Sequence, residues 1–136
     1  MGAWGHGGFE NDDALDFVAD LTGEPTWDAA DRVFTFVNES VNGEYLEAPD
    51  ASSALAAAEA VAAALGRPAA GLPEELADWI PTVETPGAER VERARRAAER
   101  VRRGSELQGL WDDSPDAALW HQSVDELLRR LGSDNA

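Results

Sequence analysis

Apolar residues recur three or four positions apart along most of the chain, which is the spacing of amphipathic helices. The first stripe consists of Ala14, Phe17, Val18 and Leu21. Asn11 or Asp12 can cap a helix that begins there, because either side chain accepts a hydrogen bond from a free N–H of the first turn. Gly23 closes this helix, and Pro25 prevents its continuation.

Two further helices are predicted in the first half of the chain. Thr26 can cap the second, whose stripe runs to Asn42-Gly43. That stripe consists of Trp27, Ala30, Phe34, Val37 and Val41. The third, Ala51 to Leu65, is mostly alanine. Small side chains permit close helix approach, so we expect this helix at the centre of the fold.

The second half continues the helical pattern after a proline-rich stretch, residues 68–86, that we expect to pack on the core. The predicted helices are Glu74 to Ile80, Ala88 to Arg103, Ser105 to Trp111, and about Asp116 to Leu131. No segment alternates as a strand would. The pattern predicts a single all-α domain over residues 1–136, a compact bundle of five to seven helices with a frayed tail at 132–136.

Residues 1–10 are rich in glycine and do not fit a regular element. We expect them to form a docking segment, in which glycines allow tight turns while Trp4 and Phe9 are buried in the core. Glycines before a helix can also cradle phosphate. Here Glu10, Asp12 and Asp13 would repel an anion, which argues against nucleotide binding.

Charge and composition limit which kinds of partner this chain can bind and in which cellular compartment we expect it. The chain has a net charge of −16, no cysteine and no lysine, and all 11 basic residues are arginine. Disulfides and thiolate zinc sites are therefore excluded. Nucleic acids and anionic membranes would be repelled by the whole molecule. No stretch of 18 apolar residues and no signal peptide is evident, so we expect a cytoplasmic protein.

Several motifs together resemble a bacterial family known as domain of unknown function 4259. They are Met1-Gly-Ala-Trp-Gly-x-Gly-x-Phe-x-Asn-Asp-x-Ala-x-Asp16, Leu72-Pro73…Trp79, Ser105-Glu-Leu-x-x-Leu-Trp111, and Trp120 with the leucines that follow it. The resemblance covers nearly the whole chain and implies a single helical domain. It carries no activity and no site residues that could be transferred. The arginine-dense helix departs from the family pattern.

Three groups of side chains are candidates for chemistry. The N-terminal motif offers possible binding residues, namely Trp4, His6, Phe9, Asn11, Asp12 and Asp16. His6 and its acidic neighbours could ligate a divalent cation, but their spacing matches no EF-hand, and clustered carboxylates are expected in so acidic a chain. We therefore expect no metal and no cofactor. His121 lies far from His6 in sequence, and we expect it to be half-exposed on its helix.

Glu59 is the only charged residue between Ala51 and Leu65. A carboxylate among alanines is either desolvated, with a raised pKa, or lies along a solvated edge of the helix. Because Ser52 and the small alanines can line such an edge with it, we expect Glu59 to be exposed.

The predicted helix that ends at Arg103 holds seven of the 11 arginines. A possible interaction face on it consists of Arg93, Arg95, Arg96, Arg100 and Arg103. A basic helix can follow phosphates. Its acidic surroundings instead favour ion pairs within the molecule or across a homodimer, with an acidic protein partner as the alternative.

These observations favour a small, acidic protein-interaction module over an enzyme. An immunity-type or regulatory partner of a basic bacterial protein is one concrete form, because strong negative charge accelerates the capture of basic targets. We expect the partner to be another protein or a second copy of the chain, and neither nucleic acid nor a membrane. The alternative hypothesis is a metal-assisted enzyme that uses residues 6–16.

Overall fold

The computed structural model describes residue 9 and residues 11–39 and 46–132 of the chain. Within these ranges it contains seven α-helices, one short 3₁₀ helix at Ile80–Thr82, and no strand. The helices are α1 (Asp12–Thr22), α2 (Asp28–Asn38), α3 (Ala48–Ala64), α4 (Glu74–Trp79), α5 (Ala88–Arg103), α6 (Glu106–Asp112) and α7 (Ala117–Arg130). The predicted all-α bundle is confirmed. No described helix combines the length and apolarity needed to cross a bilayer.

The alanine-rich helix α3 is the centre of the bundle, as its composition predicts. It packs against α1, α2, α5, α6 and α7. Twelve of its 17 residues are buried. Alanine permits this burial because its side chain is only a methyl group, so neighbouring helices can approach closely and leave no voids. Each of these five helices buries one stripe against the centre of the bundle and exposes the rest, while α4 packs on α1 and the 3₁₀ helix.

Local capping explains where several helices begin and end. The side chain of Asn11 accepts a hydrogen bond from the Ala14 N–H at 2.8 Å, so Asn11 is the N-cap of α1. Ser105 caps α6 in the same way through the Gln108 N–H at 3.0 Å. After α3 the chain turns through Gly66 at φ +86°, a conformation that suits glycine.

Two predicted boundaries differ from the structure by more than one residue. Helix α2 ends at Asn38, before the predicted end at residues 42–43, and residues 40–45 lie outside the described part of the chain. Helix α3 begins at Ala48 instead of Ala51. Pro49 fits its first turn because that position needs no N–H donor. The Ala48 N–H is held at 2.7 Å by the carboxylate of Glu106.

A pair of tryptophans attaches the proline-rich stretch, residues 68–86, to the bundle. The prediction that this stretch packs on the core is confirmed. Trp27 and Trp79 meet edge to face with ring centroids 4.9 Å apart. The Trp27 indole N–H donates to the Glu84 carbonyl at 2.8 Å, and the Trp79 indole N–H donates to the Glu24 carbonyl at 2.7 Å. Each indole N–H thus has a hydrogen-bond acceptor in the loop next to the other tryptophan, and the two bonds hold these loops together.

Candidate functional site

Helix α5 carries a chain of ion pairs along its own length. The Arg95 guanidinium contacts both Glu92 and Glu99, the latter at 2.8 Å. Arg96 also reaches Glu92, at 3.0 Å, and Arg93 pairs with Glu89 at 2.9 Å. Hydrogen bonds from Arg95 and Arg96 lower the pKa of the Glu92 carboxyl.

Other arginines of α5 join it to neighbouring helices. Arg90 forms a two-pronged pair with Asp31 of α2, with both N–O distances at 2.8 Å. The same guanidinium lies 5.7 Å from the centre of the Trp27 ring, within the range of a cation–π contact. Arg102 pairs with Asp125 of α7 at 2.7 Å. The prediction of charge pairing within the molecule is confirmed for five of the seven arginines.

The remaining two arginines of α5 lie toward its C-terminal end. Arg100 donates to the carbonyl of Gly104 at 3.1 Å, which caps the helix. Arg103 is exposed in the last turn, where positive charge suits the helix dipole. Of the predicted interaction face, Arg93, Arg95 and Arg96 are therefore engaged with glutamates of the same helix.

The opposite situation holds around α1 and α4, where many carboxylates are exposed. Arg32 lines a cleft with Asp20 and another with Asp28. We call this region the acidic face, and it consists of Asp12, Asp13, Asp16, Asp20, Glu24, Asp28, Glu74, Glu75 and Asp78. None of these carboxylates forms an ion pair within the described ranges. A hydrogen bond from the Thr22 hydroxyl to Glu75, at 3.2 Å, joins the two helices of the face.

The predicted N-terminal binding residues divide into three groups. Phe9 is buried, as predicted, with 7 % of its surface exposed. Asn11 uses its side-chain oxygen as the cap of α1, while Asp12 and Asp16 are exposed. Trp4 and His6 lie outside the described residues. Among the residues that the structure describes, no three histidine or carboxylate side chains are grouped so that they could hold a metal ion.

His121 forms a surface pair with Asp112, with 2.7 Å between Nε2 and the carboxylate. That hydrogen bond, with a second one from Gln108, lowers the pKa of Asp112. The His121 side chain is about a quarter exposed, in agreement with the prediction. The contact joins α6 to α7, and no hydroxyl from the described part of the chain bonds to the imidazole. It is therefore a tie between these two helices.

The expectation that Glu59 is exposed is wrong. Its surface is 2 % exposed, because α3 is surrounded and has no solvated edge at this position. Arg130 of α7 donates to both carboxylate oxygens, at 2.9 and 3.4 Å. Burial raises the pKa of the Glu59 carboxyl, and the contact with Arg130 opposes that shift. Arg67 and Arg130 each donate to the other's backbone carbonyl, at 2.8 and 3.3 Å.

The surface of α2 also carries an aromatic residue that the apolar pattern of the sequence does not single out. Phe36 is 56 % exposed, whereas Phe34 on the same helix is fully buried. Two clefts of about 500 Å³ meet at Phe36. The available signal is positional, because Phe36 lies outside the stripe formed by residues 27, 30, 34, 37 and 41. A single exposed aromatic residue is common on protein surfaces, so it is the two clefts beside Phe36 that make it a candidate for binding.

The fold and its surface define a small, strongly acidic helical-bundle domain in which a basic helix is neutralised internally. The chain belongs to the family described as Domain of unknown function (DUF4259), whose model matches residues 2–123. Comparisons with curated proteins and with solved structures found no match. The family therefore supplies no activity or substrate, and the function must be argued from the surface of this chain.

Proposed function

We propose that this protein is an interaction module that binds a basic protein partner through the acidic face. The observation that carries the proposal is the separation of charge on the surface. Five arginines of α5 are paired with carboxylates of the same chain, while the acidic face has no such compensation. Part of the excess negative charge of the molecule is therefore concentrated on α1, α4 and the start of α2, while Asp113 and Asp116 carry further exposed charge at the α6–α7 turn.

Unpaired surface charge of one sign accelerates association with an oppositely charged partner. It also lowers the stability of the module that carries it, since like charges repel each other. A surface kept acidic in spite of that cost is typical of proteins that capture basic targets. An immunity-type or regulatory partner of a basic bacterial protein is the form of this function that we favour.

No observation favours the alternative, a metal-assisted enzyme at residues 6–16. The side-chain oxygen of Asn11 is already used as a helix cap, and Asp12 and Asp16 are exposed. An exposed carboxylate in water is a weak ligand on its own, because a protein metal site needs several converging donors.

A charge-reversal experiment with a matched control tests the proposal. Asp16→Lys with Asp78→Lys alters the acidic face, while Asp113→Lys with Asp116→Lys makes the same change of net charge at the α6–α7 turn. Each full-length protein is immobilised and exposed to a soluble extract of the source organism, and retained proteins are identified by mass spectrometry. We expect the parent and the control to retain the same basic protein, and the acidic-face variant to lose it.

The identified protein is then purified for titration calorimetry at two salt concentrations. We expect the acidic-face variant to bind at least about tenfold more weakly than the control, with a loss of affinity in high salt for the parent. Equal weakening in both double variants would show that net charge alone is responsible, and a retained partner that is neutral or acidic would refute the proposal.

A further inference from the structure

Phe36 lies on the outer side of α2, and it is the most exposed of the large apolar side chains in the described part of the chain. Its neighbour Val37 and the nearby Phe34 are fully buried. Helix α2 therefore presents aromatic surface both to the core and to the outside. An exposed ring that lines a cleft provides an apolar contact for a second molecule.

The cleft between α1, α2 and α3 has a lining that is more polar than apolar and includes both apolar side chains and acidic groups. Its apolar part consists of Phe17, Ala29, Val33 and Phe36. Asp20 of α1 and Asp50 of α3 supply two carboxylates, and Arg32 and Ser53 complete the lining. Neither carboxylate forms an ion pair with the residues described by the structure. The cleft thus places a small apolar area beside negative charge on two of its three helices.

We propose that this cleft receives an amphipathic helix of a basic protein partner. A bulky apolar side chain of that helix would pack against Phe36 and Val33, while lysine or arginine side chains pair with Asp20 and Asp50. This inference rests on the proposed function and deepens it, since it assigns both the place of binding and the chemistry of the bound segment. Binding of an amphipathic helix in a groove uses anchors three, four or seven residues apart.

Charge complementarity selects this occupant over the others. A second copy would bring a net charge of −16 to a surface that is already acidic, and a symmetric contact would place Asp20 and Asp50 near their own counterparts. Nucleic acid and anionic lipid are repelled for the same reason. Among the described residues that line the cleft, Arg32 is the one that carries a positive charge, and its aliphatic stem can extend the apolar part of the lining.

The neighbouring cleft, on the other side of Phe36, also places carboxylates beside the aromatic ring. It is lined by Asp28, Asp31, Arg32 and Thr35 together with Phe36. Asp31 is engaged there with Arg90 at 2.8 Å, which leaves the carboxylate of Asp28 to attract a basic side chain. A helix that lies across α2 would therefore meet negative charge on both sides of the aromatic ring.

The test is a titration of the full-length, ¹⁵N-labelled protein with three synthetic peptides, followed by NMR. The first carries leucine and lysine at helical spacing, the second has the same composition in scrambled order, and the third has glutamate in place of lysine. We expect the first peptide to shift the amide signals of Ala29, Val33 and Phe36 most strongly. The scrambled peptide should bind at least about tenfold more weakly, and the glutamate peptide should not bind.

Two kinds of variant assign that binding to the cleft. Phe36→Ser removes the exposed ring, and Ser53→Lys adds a positive charge to the lining while leaving Phe36 in place. Each should weaken binding of the leucine–lysine peptide by about tenfold. Asp113→Asn with Asp116→Asn serves as the control for surface charge and should bind like the parent. Thermal melts of all variants confirm that the exposed substitutions preserve the fold.

The outcomes separate this inference from the proposed function. If both lysine peptides bind equally and the shifts spread over all acidic helices, or if Phe36→Ser binds like the parent, the cleft is not the docking site and the acidic module remains. Sedimentation that shows a dimer broken by Phe36→Ser would assign the cleft to a second copy and overturn the inference. If no basic peptide binds and no basic partner is retained by the parent, the proposed function itself fails.

Discussion

Glu59 and Arg130 bring opposite charges into contact between α3 and α7, where the carboxylate is almost entirely removed from water. Desolvation of such a pair costs nearly as much as the attraction returns, whereas removal of one partner leaves a buried charge alone. The pair therefore contributes to the specificity of α7 docking more than to net stability. The bonds between Arg67 and Arg130 fix the same corner of the bundle.

A pH series compares the parent with Glu59→Gln. Because burial raises the pKa of Glu59 above its ordinary value of 4.5 in the folded protein, the folded state binds the proton more tightly than the unfolded state. The contribution of Glu59 to stability is thus complete below pH 4.5 and is lost as the pH rises through the folded-state pKa. We expect the free energy of unfolding of Glu59→Gln, relative to the parent, to increase from acidic to neutral pH in denaturant titrations.

The same titrations with Arg130→Met examine the partner. That variant should lose about 3–5 kcal/mol at neutral pH and less in acid, where the orphaned carboxyl is protonated. Arg129→Met, which removes an exposed arginine whose nearest carboxylate is 3.9 Å away, is the control and should change little. A relative stability of Glu59→Gln that falls toward neutral pH would mean that Arg130 outweighs the effect of burial.

Two phenylalanines provide a second prediction at this scale. Phe9 is 7 % exposed and Phe36 is 56 % exposed. Phe9→Ala should cost about 3 kcal/mol, because it removes buried apolar surface and leaves a cavity. Phe36→Ala should cost less than about 1 kcal/mol. Urea denaturation of both variants makes the comparison, and equal costs would mean that the N-terminal segment does not contribute to the core.

At the scale of elements, α5 shows how ion pairs can solubilise a narrow apolar stripe. Its buried side chains are Ala94, Ala97, Ala98 and Val101. Isolated pairs on an exposed helix are worth only about 0.3–0.5 kcal/mol each. Arg95 differs from its neighbours because it contacts two glutamates, Glu92 and Glu99, on adjacent turns.

Charge reversal at Arg95 tests this arrangement. Arg95→Glu replaces two attractions by two repulsions and should cost about 1–2 kcal/mol, most of it recovered in high salt. Arg103→Glu makes the same change of net charge in the exposed last turn and should cost about 0.5 kcal/mol through the helix dipole. Thermal unfolding at low and high salt makes the comparison. Indistinguishable variants would show that the pairs along α5 contribute nothing to stability.

Most helices were predictable because their stripes are long and their ends are marked. The bounds of α5, Ala88–Arg103, agree with the prediction. The predicted start of α3 at Ala51 is too late, because Pro49 fits inside the first turn of a helix that begins at Ala48. The position of Glu59 could have been inferred from α3 itself, since a helix without a polar side must bury any charge in its middle. Its partner, 71 residues away along the chain, could not.

For the whole molecule, charge is the dominant property, and its effect on stability can be measured directly. With a net charge of −16, repulsion between the unpaired carboxylates should destabilise the fold at low ionic strength. We expect the melting temperature to rise as sodium chloride is added, because screening acts over about 8 Å at about 0.15 M salt. The rise should be smaller for Asp16→Lys with Asp78→Lys. A flat or falling curve would contradict an unbalanced surface.

The candidate site was only partly predictable at this scale. The sequence reveals the net charge and the concentration of arginine in one helix, and both led to a correct expectation of internal pairing. It does not reveal that α1 and α4 lie side by side, joined through Thr22 and Glu75, because their contact depends on how each packs against the centre of the bundle. The acidic face is therefore a property of the tertiary structure.

The tryptophan pair has a consequence for how this protein can be observed. Trp27 and Trp79 are identical chromophores held 4.9 Å apart in a fixed, chiral arrangement. At that separation their electronic excitations couple, which splits the absorption into two circular dichroism bands of opposite sign. The carbonyls of Glu24 and Glu84 hold the two indoles in place, so the couplet requires both loops to be docked. This optical signal therefore reports whether the two loops are docked, without any added label.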